Sequence, residues 1–436
     1  MGIFTVRATR PRRLVTVLAG AALAASTLAA CGDGDGGGGG GGDASADVEV
    51  FTWWAEGSEK EGLDALVKVF EEQHPDFTFV NGAVAGGAGS EAKNVLASRL
   101  QTNDPPDTFQ AHAGAEVTDY ITNGQVEDLT AMYEEKGWKE LFPTGLLERL
   151  QQDGGIYSVP SNIHRANVVW ANPAVLTEAG LDPAATYNSM DEFIAALKKV
   201  KAAGKIPLSV ATDWTQVHLL ETVLLSDLGV DAYQGLWDGS TDWSSPEVTA
   251  AIEDYSTLLG FTNTDRQSLD WPDATQLIID GEAAFNIMGD WAEAAFSSQD
   301  KKFGTDYVTF PVPGTDGVFD FLADSFTMPV GAPNPDGTEA WLDTVASAEG
   351  QTAFNEAKGS IPANIEADTS GFGEYQQTAI ESWTNDEIAS SLAHGAAASV
   401  SWLTDVTSAV AKFGSDNDVA ALQSALVDTA EKNAKS

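Results

Sequence analysis

The chain has 436 residues, 43% of them hydrophobic, which is enough for two cores of ordinary size. Its 65 acidic and 23 basic residues give a formal net charge of −42 at pH 7. A surface this acidic repels phosphate backbones and argues against nucleic acid as a partner, while a single cysteine excludes an intrachain disulfide.

The first segment is not expected to be part of the fold. Arg7, Arg10, Arg12 and Arg13 precede an apolar run from Leu14 to Ala30 that is short for a spanning helix and ends in Leu-Ala-Ala-Cys at Cys31. Residues 1–31 therefore describe a secretory signal, and its last four residues resemble a bacterial lipobox. Cys31 is the expected lipidation site, and acyl chains there would anchor the protein to the membrane. Removing residues 1–30 takes away four arginines and no acid, which moves the formal charge from −42 to −46. Residues 32–47, rich in glycine with scattered aspartate, cannot bury apolar surface and are expected to act as a flexible tether.

Folded structure is expected from residue 48. Val48 and Val50 alternate with Asp47 and Glu49 as in a strand, and Leu63, Leu66, Val67 and Phe70 then mark one face of a helix stopped by Pro75. Trp53 and Trp54 fall on the connection between them, at the end of a strand where open α/β sheets bind ligands. The segment "DFTFVN" reads as a strand, Val95, Leu96 and Leu100 as a helix after the turn "GGAGS", and "TFQAH" as a strand ending at Gln110 to His112. This alternation predicts an α/β domain. A long β-branched stretch from Gly154 to Pro173 has no helix period. The helical "MDEFIAALKKVKAAG", strand-like "IPLSVA", helical "DATQLIIDGE" and strand-like "AAFNIMG" then describe a second α/β unit. Pro311, Pro313 and Gly314 punctuate another extended segment, and helical tracts from Glu339 to Ala357 and Ser399 to Phe413 close the chain.

Chemical motifs are few. His74, His112, His164, His218 and His394 form no H-x-x-x-H pair, and the chain has no G-x-S-x-G elbow, Walker lysine loop or full dinucleotide fingerprint. Any two of 65 acids could be nominated as a glycosidase pair, but one sequence supplies no distance between them. The tryptophans are more informative. Trp53, Trp54, Trp214, Trp271 and Trp291 sit at expected element ends beside polar residues. An aromatic face packs on the C–H face of a pyranose while carboxylate, amide and imidazole groups take its hydroxyls.

The stretches "FTWWAEGSE", "GGAGSEAKNVL", "NDPPDTFQAHAG", "EDLTAMYEEKGW", "GGIYSVPSNIHRANVVW", "DWTQVHLLE", "GEAAFNIMGDWA", "GTDGVFDFLADSF", "KGSIPA" and "SSLAHGA" run from about residue 48 to about residue 400. Together they resemble the extracellular solute-binding proteins of bacterial ABC sugar importers, most closely those that bind glucose. The resemblance implies two α/β lobes of the periplasmic-binding-protein type, each a central β-sheet flanked by helices, with the ligand cleft between them. It places the N-terminal lobe at 48–163 and 316–360, the C-terminal lobe at 164–315 and 361–436, and the crossings at "PSNIHRAN" and "PVPGTDG".

Carried over residue by residue, the family's sugar contacts fall on Trp53, Trp54, Glu59, Gln110, His112, Asp324, Lys358 and His394, with Trp271 and Trp291 as stacking groups from the other lobe. His164 and His218 have no such claim and are expected to be structural. The implied protein is a receptor and not an enzyme, needs no cofactor or metal, and is monomeric. It would be lipid-anchored on the outer face of the cell membrane, delivering a monosaccharide such as glucose to ABC permease subunits. The alternatives are a receptor for a disaccharide or oligosaccharide, a secreted glycan-cleaving enzyme, and a structural surface lipoprotein.

Overall fold

A computed structural model of the protein describes residues 46–86 and 89–433. The signal segment, Cys31 and most of the tether lie outside the described residues. Among the described residues, no helix is long and apolar enough to cross a membrane.

The elements used below are, in chain order, β1 (Asp47–Phe51), α1 (Gly57–Gln73), β2 (Thr78–Asn81), α2 (Ser90–Gln101), β3 (Thr108–His112), β4 (Val159–Pro160), β5 (His164–Arg165), β6 (Val168–Ala171), α3 (Met190–Ala202), β7 (Ile206–Ser209) and α4 (Asp213–Leu228). They continue with α5 (Pro246–Leu259), α6 (Trp271–Ile279), β8 (Ala283–Ile287), β9 (Val308–Pro311), β10 (Val318–Leu322), β11 (Asp324–Thr327), α7 (Pro335–Ala346), α8 (Ala348–Lys358), α9 (Glu374–Asn385), β12 (Glu387–Ser390), α10 (Val400–Asp416) and α11 (Val419–Asn433).

The first sheet has the order β2, β1, β3, β11, β4, with β1 parallel to β2 and β3, and β11 antiparallel to both β3 and β4. Alternation in β1 sends Val48 and Val50 into a core shared with Phe70, Phe109, Phe326 and Trp341, while Asp47 stays exposed. In α1, Leu63, Leu66 and Phe70 are buried as their spacing requires, but Val69 completes the inner face and Val67 is only half-buried. Each such Leu or Phe contributes about 1.5–3 kcal/mol on burial. The helix ends where the His74 N–H bonds to the Phe70 carbonyl, one residue before Pro75.

The second sheet has the order β9, β6, β8, β7 and carries its own core of Val169, Phe193, Leu208, Leu220, Val248, Phe285 and Trp402. Here α3 starts at Ser189, whose hydroxyl accepts from the Glu192 N–H, and buries Phe193, Ile194, Leu197 and Val200 at helical spacing. Ser390 ends β12, and Leu392 and Ala393 beyond it pack into this second core. Ile361, Ala363 and Ala379, which the resemblance places in the second lobe, pack with the first core instead.

A short third sheet, β12, β10, β5, lies on the chain between the other two. In one pass, β4 belongs to the first sheet, β5 to the third and β6 to the second. In another, β10 of the third sheet leads through Ala323 alone into β11 of the first. The two passes meet at the pairings Leu322 with His164 and Ser325 with Pro160. This brings His164 and Asp324 to the junction of two separately cored sheets. The fold is a two-lobed α/β architecture, with helices covering each sheet.

Candidate functional site

A cavity forms at that junction, and each wall comes from the end of an element. Trp53 follows β1, Glu59 lies in the first turn of α1, His112 ends β3, Asp324 opens β11 and Lys358 ends α8. From the other sheet come Trp271 at the start of α6, held by an Asp270 capping box, Trp291 just after β8, and Trp214 in the first turn of α4. His164 and His394 complete the lining.

Asp324 is the centre of the polar network. Its Oδ1 accepts from Gln110 Nε2 at 2.9 Å and its Oδ2 from Asn162 Nδ2 at 2.7 Å. Lys358 Nζ lies 3.8 Å from Asp324 Oδ2 and 3.8 Å from Glu59 Oε1. Burial works against the Asp324 charge, but Lys358, then His164 and His112, hold its carboxyl well below the usual carboxylate range. Glu59 moves the opposite way. Its side chain is 19% exposed, and desolvation raises its pKa to about 7, with Lys358 opposing and Asp324 reinforcing the rise. The cavity thus pairs a permanent acceptor with a carboxyl that can give or take a proton near neutrality.

The histidines are set by partners behind them. His112 Nδ1 lies 2.7 Å from Glu116 Oε2, which also takes Lys93 Nζ at 2.8 Å. Burial opposes the Glu116 charge, yet Lys93 and His112 bring its pKa down to about 2. His164 Nδ1 pairs with Asp290 and its Nε2 lies 3.0 Å from Asn162 Nδ2. Burial disfavours charge on His164, but Asp290 outweighs it and raises the pKa. His394 Nδ1 lies 2.8 Å from Ser391 Oγ, and its Nε2 has no partner among the described residues.

Aromatic rings close the space. Trp53 tilts over His112 at 4.9 Å between centroids, and Trp291 meets His394 at 4.9 Å and His164 at 5.3 Å, both edge-on. The cavity has about 20 Å³ accessible to water, and it adjoins an open cleft of about 340 Å³ that shares Trp53, Glu59 and Trp271. A larger groove of about 740 Å³, near Arg149, Ile365 and Trp383, shares no lining residue with this cavity.

The expected residues divide in an informative way. Trp53, Glu59, His112, Trp271, Trp291, Asp324, Lys358 and His394 come together on the cavity wall. Trp54 does not: it is fully buried behind the wall, its ring against Phe354 at 4.8 Å and Phe326 at 5.6 Å. Gln110 is also off the wall. Its amide oxygen accepts from Thr52 and from the Trp53 N–H, and its amide nitrogen donates to Asp324, so these bonds orient wall residues from behind. His164, expected to be structural, lines the cavity because the crossing strand β5 passes directly beside it. Its position two residues after Asn162 in a Pro-punctuated crossing was the available signal. His218 stays behind the wall, with Nε2 3.1 Å from the Ala166 carbonyl. Trp214, which the sequence places at an element end without assigning it to the site, also lines the cavity.

This chemistry is that of a polyol site: flat apolar faces, a charged acceptor, an ammonium donor and several imidazoles in a small desolvated space. Comparison with known proteins agrees. Residues 54–352 match the family model described as bacterial extracellular solute-binding protein. The chain is 31% identical over 391 residues to an uncharacterized ABC transporter extracellular-binding protein of Pyrococcus horikoshii, covering 89% of this chain and 88% of that one. It is 30% identical to a xylose/arabinose-binding protein of Haloferax volcanii over 80% of this chain and 77% of that one. To a glucose-binding protein of Saccharolobus solfataricus it is 25% identical, over 65% and 55%. Among solved structures, a chitin oligosaccharide binding protein superposes with a TM-score of 0.79 at 18% identity, covering 90% of this chain and all of that one. The chain therefore belongs to the bacterial extracellular solute-binding protein family, a family of binding proteins and not of enzymes.

Proposed function

We propose that the protein captures a monosaccharide, glucose before other hexoses, in the cavity between Trp53, Asp324, Lys358 and His394, and hands it to the permease of its transporter. The observation that carries this reading is the enclosure itself. Four tryptophans and His394 surround one buried Asp–Lys pair in a space with room for only one or two waters, so a ligand enters only when the lobes part and is then wrapped between them. Such wrapping suits a single pyranose. On this reading Cys31 carries the lipid that keeps the receptor at the outer face of the membrane, and the receptor works as a monomer.

The test is isothermal titration of residues 44–436 with glucose, then galactose, mannose, xylose, maltose and cellobiose. Micromolar or tighter binding of glucose, with weaker binding of the others, supports the proposal. A second reading, a receptor for a disaccharide or longer glycan, is favoured by the 340 Å³ cleft that continues from Trp53 and Trp271. Binding of maltose or cellobiose without glucose would select it.

A further inference from the structure

A chain of three joined groups runs from behind the cavity wall to its surface. Glu221 lies in the middle of α4 and is fully buried. Its Oε1 is 2.9 Å and its Oε2 3.1 Å from Ser391 Oγ, and Oε2 also accepts from the Ala393 N–H at 2.7 Å. Ser391 Oγ in turn lies 2.8 Å from His394 Nδ1. The free end of the chain is His394 Nε2, on a residue lining the cavity.

We propose that Glu221, acting through Ser391, is a positioning residue that fixes the proton of His394 on Nε2, so that this ring meets the ligand as a hydrogen-bond donor. The argument is a proton count. Ser391 has one hydroxyl proton and stands between a carboxyl and an imidazole. If Glu221 is neutral, its Oε1–H donates to Ser391 Oγ, the Ser391 hydroxyl donates to His394 Nδ1, and the imidazole proton sits on Nε2. If Glu221 is ionised, it accepts a hydrogen bond from the Ser391 hydroxyl, Nδ1 must carry the imidazole proton to donate to Ser391 Oγ, and Nε2 turns into an acceptor.

The surroundings select the neutral form. From its own helix, Glu221 faces His218, whose Nδ1 is 3.8 Å from Oε1 and whose Nε2–H is spent on the Ala166 carbonyl. From β10 it faces Asp320, a second buried carboxyl with neither oxygen partnered among the described residues, whose own pKa is raised by burial and then by Glu221. From residues 230–238 it faces the Tyr233 hydroxyl, and from the loop after β12 it faces His394 itself, 3.9 Å away. Desolvation raises the Glu221 pKa to about 8, with the hydrogen bonds from Ala393 and Ser391 opposing it. His394 is kept neutral by burial and then by His218 on α4, His112 on β3, His164 on β5 and Lys93 on α2. The ligand atoms of His218, Glu221 and His394 lie within 4.8 Å of one another. Both carboxyl oxygens and His394 Nδ1 are already engaged by Ser391 and Ala393, so Glu221, Ser391 and His394 form a hydrogen-bond chain, with His218 Nδ1 beside it at 3.8 Å.

The consequence for ligand binding rests on the sugar reading above; the proton position does not. A hydroxyl that accepts from Nε2–H keeps its own proton for Asp324 or Glu59. Once Nε2 is an acceptor, the same hydroxyl must give that proton up, and one carboxylate loses its donor.

The experiment is a pH series from 6 to 9.5 on the full chain labelled with ¹⁵N-histidine, reading the His394 tautomer by NMR, with glucose titrations at the same pH values. The expected result is the Nε2–H tautomer at pH 7, crossing to Nδ1–H near pH 8, with glucose affinity falling about three- to tenfold across that step. Glu221→Gln donates to Ser391 as the neutral acid does, so it should keep the Nε2–H tautomer and remove the step. Ser391→Ala should mix the tautomers at every pH. Glu59 titrates near pH 7 in both proteins, so the difference between the wild-type and Glu221→Gln profiles is what is read. An Nδ1–H tautomer at pH 7, or a step that persists in Glu221→Gln, overturns the proposal. If the variants do not fold, the wild-type spectrum decides alone, and a wild type that binds no glucose overturns the sugar reading while the spectrum still decides the tautomer.

Discussion

Lys358 Nζ stands 3.8 Å from Asp324 Oδ2 with both side chains almost wholly buried, 3% and 4% exposed. The two come from different elements, α8 and β11, and meet only at the cavity. A buried pair of this kind contributes little net stability, but breaking it leaves one charge without its partner. In the proposed function, it presents a fixed acceptor and a fixed donor to whatever fills the space.

Asp324→Asn keeps the shape and the bond from Gln110 but removes the charge facing Lys358. Sugar affinity should fall tenfold or more, in line with about 1–3 kcal/mol for a buried polar group left unpaired. Titration calorimetry on the folded variant checks this. An unchanged dissociation constant would take Asp324 out of the binding site.

The two adjacent tryptophans should separate cleanly. Trp54 is 0% exposed and packs on Phe326 and Phe354, so Trp54→Ala should cost about 3–5 kcal/mol of folding stability. Trp53 lines the cavity, so Trp53→Ala should lose at least tenfold in sugar affinity at a smaller cost in stability. Urea unfolding and calorimetry on both variants provide the comparison. Equal losses of affinity would place both rings in the site.

Glu116 gives a prediction in acid. Its pKa in the folded state is depressed to about 2 from an ordinary 4.5, so its contribution is complete above pH 4.5 and is lost as pH falls toward 2. The shift corresponds to about 3 kcal/mol at neutral pH. Glu116→Gln should therefore be less stable than wild type at pH 7, and the gap should shrink to less than half by about pH 3. A gap independent of pH, measured by urea unfolding, would mean that packing and not charge holds the Lys93–Glu116–His112 cluster together.

Much of the first lobe could be read along the chain because its elements are half-buried. The alternation of β1 and the apolar face of α1 are visible since one side of each meets water. α4 was missed for the opposite reason. Leu219, Leu220, Val223 and Leu224 are all buried, and so are the polar Gln216, His218, Glu221 and Thr222, so the helix has no water-facing side to create a clean period, and Trp214 in its first turn is unassigned with it. The tract from Glu339 to Ala357 reads as continuous but breaks at Ser347, which adopts an extended conformation and caps α8 by accepting from the Gly350 N–H. At the site, side chains at strand ends were legible one by one, whereas His164 depended on which strand β5 pairs with. A two-residue strand carries no pattern of its own. The division of labour between Trp53 and Trp54 was likewise invisible, since it depends on Phe326 and Phe354, far along the chain.

Two glycines complete the cavity by leaving room for its rings. Gly89, in the cluster that reads only as a turn, has φ of +74°, and a Cβ there would stand 2.6 Å from the Trp53 ring. Gly289 has an ordinary backbone, yet a Cβ there would come within 2.1 Å of the Trp291 ring. In each case the backbone approaches an indole as closely as any side chain allows, and an alanine would push the ring into the cavity or out of it. Gly289→Ala should therefore shift the tryptophan fluorescence and weaken sugar binding tenfold or more, with no strain from its φ. Gly89→Ala should do the same at Trp53 and also lose stability, because alanine is disfavoured at positive φ. Wild-type affinity in Gly289→Ala would mean that the Trp291 ring takes no part in holding the ligand.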